Sequence, residues 1–213
     1  MSLIGDANRR RLLENSQGAS YPAGTMAFQP GDRAKAFLLE RGMMRGFWSI
    51  PDGRQATFTF VHPGALVGAS AILTKMPPVF IQVMKDSELT ILDLTVARDL
   101  ASSQIEVLRA ISLSLAQRVN DFRQLVAVRS LGSLKQRLAF DLLERACQCQ
   151  LVDGMLGARA SHQDLADSIG TSREVVSRAL KQLRVARIVE TTPRFVRVIR
   201  PEGLAAIVHV FNT

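Results

Sequence analysis

The chain has 213 residues, 47% of them hydrophobic and 22% charged, with a net charge of +8, enough for one large or two modest domains and basic enough to suit a polyanionic partner. A membrane protein is not expected, because no run of about 18 apolar residues occurs, and neither is a secreted one, because no apolar stretch follows Arg9-Arg10-Arg11. The only cysteines, Cys147 and Cys149, are too close together to staple a fold, which suits a reducing, cytoplasmic location.

In chain order, Gly31, Gly42, Gly53 and Gly64 recur every 11 residues in turn contexts: Pro30-Gly31-Asp32, Arg41-Gly42, Asp52-Gly53 and Pro63-Gly64. Between and beyond them lie strand-like runs at Ala36–Leu39, Gly46–Ile50, Ala56–Phe60, Val79–Met84 and Leu89–Leu94. Short strands at even spacing predict an antiparallel barrel or sandwich. The glycine period needs no function to explain it.

From about Ala97 the pattern turns helical. Leu108, Ser112, Leu115, Val119, Phe122 and Val126 follow 4-3-4-3-4 spacing, the a/d seam of a coiled coil. Ile105, Ile111 and Leu125 stand on adjacent faces, so one side can pack on the barrel while another meets a second subunit. A parallel homodimer is the expectation, with Leu108, Leu115, Val119, Phe122 and Val126 at its interface. Leu131-Gly132-Ser133 breaks the helix as a hinge, and Leu134 to Cys149 opens the next segment. The expected divisions are a β-roll over 1–96, a dimerisation helix over 97–130 and a C-terminal domain over 131–213.

The segment from Ser161 to Leu180 reads as two short helices joined at Gly170. Ser161 with Asp164, and Thr171 with Glu174, have the spacing of two successive capping boxes. Leu165, Ile169, Val176, Leu180 and Leu183 supply the apolar positions that pack the pair. Arg173, Ser177 and Lys181 fall four apart on one face, with Glu174 and Arg178 beside them. That face suits a helix-turn-helix reading base edges: an arginine fork matches guanine O6 and N7, and a carboxylate accepts from cytosine N4. The helix continues through Gln182 to Ile188. Ile188-Val189-Glu190 and Phe195 to Ile199 then form a hairpin around Thr191-Thr192-Pro193-Arg194, a wing with Arg194 at its tip for a phosphate. From Leu131 to Thr213 there are 12 Lys+Arg against 8 Asp+Glu, so only +4 of the +8 resides in this segment.

An α+β chain with a β-roll (a jelly roll like that of cyclic-nucleotide-binding domains), a long dimerisation helix and a C-terminal winged helix-turn-helix resembles the family of the cyclic-AMP receptor protein and FNR. The resemblance runs from about Tyr21 to Ile207. It is carried by Phe28-Gln29-Pro30-Gly31-Asp32, by Phe60-Val61-His62-Pro63-Gly64-Ala65-Leu66-Val67-Gly68 and by Gln163 to Leu183. It implies a dimeric transcription regulator that binds palindromic double-stranded DNA, meets RNA polymerase and answers to an effector sensed by the roll. Arg173, Glu174 and Arg178 match the family's Arg-Glu-x-x-x-Arg, and Ser177 stands where FNR-type members carry a serine. An inverted repeat of TGTGA- or TTGA-like half-sites follows, with centres about 34 Å apart. Gln163, His162, Ser172, Lys181 and Arg194 complete the expected DNA contacts, the first two and Arg194 as contacts to the DNA backbone. Val175 replaces a phosphate-binding threonine of many relatives.

The expected effector pocket comprises Gly68, Ala69, Val79, Phe80, Phe122 and Arg123, and here the chain departs from its resemblance. Members that bind cyclic nucleotides use Gly-Glu and Arg-Ser/Thr pairs for ribose and phosphate, and a Thr-Ser pair for adenine. These align as Gly68-Ala69, Val79-Phe80 and Phe122-Arg123. Losing two charged hydrogen bonds at ~1.5–3 kcal/mol each removes about 10²–10⁴ in affinity, so cyclic AMP is not the expected effector. An iron–sulfur cluster is not expected either, since residues 1–146 contain no cysteine. Cys147 and Cys149 read as small residues at a helix end, with a thiol switch as the alternative.

Haem is the alternative cofactor: His62 is the sole barrel histidine, with Met43, Met44, Met76 and Met84 as partners, although His62-Pro63-Gly64 also reads as a surface turn. A cupin-like enzyme would need several histidines converging with a carboxylate in the barrel, and residues 1–130 hold only His62. No metal site and no enzymatic activity are therefore expected. A ligand-binding module with secondary, architectural DNA contacts is opposed by the intact Arg173, Glu174 and Arg178.

Overall fold

The computed structural model describes residues 4–51, 55–75, 77–148 and 156–208. The turn at Gly53, together with Met76 and Cys149, lies outside them. Two compact units divide the chain at Asp121/Phe122, each with its own sheet.

The first unit opens with helix α1 (Asp6–Leu13) and then builds a six-stranded antiparallel sheet from β1 (Gln17–Tyr21), β2 (Met26–Phe28), β3 (Ala36–Ser49), β4 (Gln55–Val61), β5 (Leu66–Val67) and β6 (Phe80–Leu92). The order β1-β6-β3-β4, with β2 on β6 and β5 on β3, makes β3 and β6 the spine. One face is closed by Phe28, Phe37, Met44, Val61, Ile81 and Val83, all buried. Helices α2 (Ala69–Leu73) and α3 (Leu94–Ser103) with the start of α4 (Ile105–Leu131) bury a second cluster around Leu38, Ile72, Leu100 and Ile111. Asp93 caps α3 by accepting from the Thr95 and Val96 N–H groups.

The predicted turn at Arg41-Gly42 is instead an interior irregularity of one long strand. Register shifts at Leu39/Arg41, Arg41/Met43 and Met43/Met44 absorb the extra residues. Gly42 has φ +96, and a Cβ there would collide with the Asp86 carbonyl and Ser87, so glycine lets the two backbones cross closely rather than reverse. The separate runs Val79–Met84 and Leu89–Leu94 are likewise one strand, ending at Leu92 because Asp93 begins α3. Arg45, fully buried on β3, donates to Gln82 Oε1 at 3.0 Å, Thr57 Oγ1 at 3.2 Å and Gln55, and lies 4.1 Å from the Phe47 ring centroid. Burial of its charge is offset by these acceptors and the ring face.

The second unit takes over within α4 and continues with α5 (Leu134–Gln148), β7 (Gly157–Arg159), α6 (His162–Ile169), α7 (Arg173–Val185), β8 (Val189–Thr192), β9 (Phe195–Val198) and α8 (Pro201–Val208). The sheet order is β7-β9-β8. Leu138, Leu142, Leu165, Val176, Val196 and Leu204 are fully buried. No helix among the described residues is long and apolar enough to cross a membrane.

Candidate nucleic-acid interface

Helix α6 starts with a complete capping box. Ser161 Oγ accepts from the Asp164 N–H at 3.2 Å, and Asp164 Oδ2 accepts from the Ser161 N–H and hydroxyl, both at 2.8 Å. Those two bonds, first from the backbone and then from the hydroxyl, hold the Asp164 carboxyl below its ordinary range. Gly170, at φ 68, ends α6 and lets the Thr171 N–H reach the Ala166 carbonyl at 2.9 Å. Thr171 thereby belongs to the end of α6. Its predicted capping box with Glu174 does not form: Ser172 is the N-cap of α7 and makes no side-chain cap bond.

The inner faces of the pair bury Leu165, Ala166 and Ile169 against Val176, Leu180 and Leu183. The outer face of α7 then follows from helical spacing: Arg173, Glu174, Arg178 and Lys181 are all exposed, on adjoining rows. Arg173 and Arg178 carry no hydrogen bond or ion pair among the described residues. Glu174 is held ionised by its own backbone N–H, then by the Ser172 hydroxyl and the fields of Arg173 and Arg178. Two guanidinium forks thus flank an obligate acceptor, a donor and acceptor set that matches a guanine- and cytosine-bearing groove edge.

Ser177 sits deeper. Its Oγ is 2.8 Å from His162 Nδ1, tying the middle of α7 to the first residue of α6. Burial, then the nearby Arg173 and Arg184 charges, push His162 below its ordinary pKa, so it is neutral at pH 7. Gln163 is exposed and donates to Asp167 Oδ1 at 2.7 Å. Helix α6 is also fixed to α5, where Asp141 accepts from Ser168 Oγ and Arg145 Nε, both at 2.7 Å.

The wing is tighter than its sequence suggests: β8 and β9 are joined by Pro193-Arg194 alone, and Arg194 is exposed. Arg194 shares an open depression at the N-terminus of α6 with Arg159, Ser161, Asp164 and Phe195. Sequence reasoning missed Arg159, because β7 is three residues long with no β-branched side chain. Its position two residues ahead of the Ser161 cap was the only signal. The far end of α7 is closed by Arg187 at φ 54 and by Arg200, whose Nη2 donates to the Ala186 carbonyl at 2.7 Å.

On α4, Val107, Ile111, Leu125 and Val128 are buried, whereas Val119, Phe122 and Val126 are 58%, 42% and 49% exposed. Leu108 and Leu115 are partly buried and Ser112 is exposed. Of the predicted seam, Val119, Phe122 and Val126 stand apart from the stripe packed on the chain itself, whereas Leu115 packs on the core of the first unit.

In the roll, Gly68, Ala69 and Val79 line a cavity of about 230 Å³, together with Trp48, Phe58, Thr59, Leu115 and Arg118 among others. Gly68 has φ +78, and a Cβ there would collide with the Lys35 carbonyl. Phe80 does not line this cavity; it stacks on Phe47 with centroids 5.1 Å apart, because neighbouring strand residues face opposite sides. The α4 residues in the wall are Leu115 and Arg118, while Phe122 and Arg123 are exposed side chains of the second unit. Alignment by family position passed over Arg118, which only the packing of α4 on the roll brings into view. A second cavity of about 250 Å³ lies between α1, the roll and α4, and Arg118 borders it too. His62 belongs to a turn closed by the Ala65 N–H on its carbonyl and lines neither cavity. Met43, Met44 and Met84 are buried side chains of the sheet. These residues do not fit a haem: the cavity is small, and no histidine among the described residues faces it. Among the described residues no cluster of three metal-ligating side chains occurs.

Comparison with known proteins gives a cyclic nucleotide-binding domain over residues 19–104 and a Crp-like helix-turn-helix domain over residues 136–207. The chain is 29% identical to the cyclic AMP receptor protein of Thermus thermophilus over 87% of its own length and 85% of the relative's. It is 28% identical to the transcriptional regulator LdrP of Thermus thermophilus, over 77% and 83%. A solved structure described as a regulator of the crp/fnr family from Eubacterium rectale superimposes with a TM-score of 0.62 at 20% identity, covering 96% of this chain and 95% of that one.

Proposed function

Because the chain belongs to the Crp/Fnr family of DNA-binding transcription regulators, we propose that it acts as a homodimer on an inverted repeat. Each α7 enters a major groove, and the two grooves are about 34 Å apart. Arg173 and Arg178 take guanines and Glu174 takes a cytosine of TGTGA- or TTGA-like half-sites. Arg194 and Arg159 flank the N-terminus of α6, where a phosphate meets both guanidinium charges. The observation that carries this reading is the pair of uncommitted guanidiniums around an ionised Glu174, on a helix whose other face is fully buried. Homodimerisation is supported by exposed Val119, Phe122 and Val126, a seam that a second α4 can cover. RNA polymerase is the further partner expected of a regulator.

The roll is read as the sensor, for an effector other than cyclic AMP. Ala69 and Val79 offer no donor or acceptor side chain where ribose and cyclic phosphate would need them, and a phosphate there would be desolvated without a partner. Selection from a pool of random duplexes, with and without co-purified small molecules, tests the reading. The expected product is a two-fold symmetric site bound by a dimer. Retention of no duplex at moderate salt, or a monomer in solution, overturns it. Micromolar affinity for cyclic AMP by calorimetry would overturn the effector assignment alone.

A further inference from the structure

Among the described residues Arg118 is the one charged side chain in the wall of the 230 Å³ cavity, and its partners there are all on Nη1. Nη1 donates to Thr59 Oγ1 at 3.2 Å and stands 3.5 Å from Asp121 Oδ2. Nε is buried and has no hydrogen-bond partner. An orphaned buried N–H is uncommon and calls for an explanation. Nε and its neighbour Nη2 form the side-on edge of the guanidinium, two parallel donors spaced for a carboxylate. Apart from Thr59 and Ser70, the side chains around Arg118 in this wall are apolar, among them Val61, Val79, Ile81 and Leu115, with the Trp48–Phe58 ring pair, whose centroids are 4.5 Å apart.

Resting on the reading of the roll as a sensor, we infer that this cavity receives a small monocarboxylate with an aryl or short alkyl body. Its carboxylate pairs with the Arg118 guanidinium and its body lies against Val79, Ile81 and Leu115. The volume sets the size. It exceeds the ~150 Å³ that admits a benzene ring and falls short of the ~300 Å³ where drug-sized sites begin. One ring, or a chain of similar bulk, fits. The charge is limited in the same way. Asp121 already shares the guanidinium, so the second charge of a phosphate would face apolar wall with no counter-ion. Asp121 is the competitor for the same cation, and Gln117 Nε2, 2.9 Å from Asp121 Oδ1, holds it in place.

Trp48 is the chain's only tryptophan and stands in this wall but not in that of the neighbouring cavity, so its emission reports on the proposed site. The full chain is titrated with benzoate, hexanoate, their neutral amides and inorganic phosphate, following Trp48 fluorescence and heat. The expected result is saturable binding of at least one acid, about tenfold or more tighter than its amide and tighter than phosphate. Arg118→Leu is expected to abolish that preference while the amide binds within about twofold of its original affinity. Asp121→Asn, which keeps the arginine and removes its competitor, is expected to tighten the acid severalfold. Acid and amide binding alike, an unchanged preference in the Arg118 variant, or no response of Trp48 to either acid at millimolar concentration overturns the inference. So does an Asp121→Asn variant that binds the acid no better, should the Arg118 variant fail to fold. Binding of a selected duplex by the same protein is measured separately, so absent acid binding with intact DNA binding counts against the ligand alone.

Discussion

Removing Arg178 isolates the base-reading role from everything else the helix does. In the DNA-free protein its guanidinium is exposed on α7 and makes no hydrogen bond or ion pair among the described residues. Arg178→Ala therefore leaves stability almost unchanged, within about 0.5 kcal/mol. On a cognate half-site, loss of a bidentate arginine–guanine contact costs ~1–3 kcal/mol. A dimer on an inverted repeat loses it twice, ~2–6 kcal/mol, which is roughly 30-fold to 10⁴-fold in affinity. Glu174 loses one of its nearby cations but keeps its backbone N–H and the Ser172 hydroxyl, so the cytosine contact persists. Fluorescence anisotropy on the selected duplex and on duplexes altered at the paired guanine measures both affinity and discrimination. The expected variant binds the cognate site weakly, no longer distinguishes the altered base, and keeps its salt dependence. A phosphate contact would behave differently: affinity would fall on all sequences alike, and the slope of log K on log salt would shrink by about 0.9 per subunit. That second pattern would refute the assignment of Arg178 to a base edge.

Two further predictions concern stability. Gly42→Ala forces a side chain onto φ +96 and into the Asp86 carbonyl and Ser87, so the first unit should lose about 2–4 kcal/mol; an unchanged urea midpoint by Trp48 fluorescence would mean the β3–β6 crossing can relax. His162 and Asp164 both have lowered pKa values in the folded chain, so both contribute stability above their unfolded pKa that is lost as pH falls through the folded one. The histidine should act first, as pH drops below about 6.5, and the aspartate below about 4. His162→Gln should remove the first decline and leave the second, as read from chemical unfolding at pH 7, 5.5 and 3.5; two intact declines in the variant would assign the upper one elsewhere.

The helix-turn-helix was legible because its determinants are local. Ser161 and Asp164 are three residues apart, Gly170 ends a helix at its own φ, and Leu165, Val176, Leu180 and Leu183 repeat at helical spacing. The exposure of Arg173, Glu174 and Arg178 follows from the same periodicity. So do the wing and the exposure of Val119, Phe122 and Val126 on α4, since each depends on neighbours within a few turns of chain. Packing between distant segments decided the rest. Whether Gly42 turns the chain or lets β3 continue past β6 depends on Ser87, 45 positions away in the sequence. Ser177 is drawn away from the reading face by His162, a partner on another helix, and Thr171 is drawn to the end of α6 by the Ala166 carbonyl. The cavity was least visible of all. Gly68, Ala69 and Val79 told what had been lost there, but Arg118 enters beside Thr59 only once α4 lies on the roll. Periodicity assigns a residue to a face; it does not specify which distant side chain that face will meet.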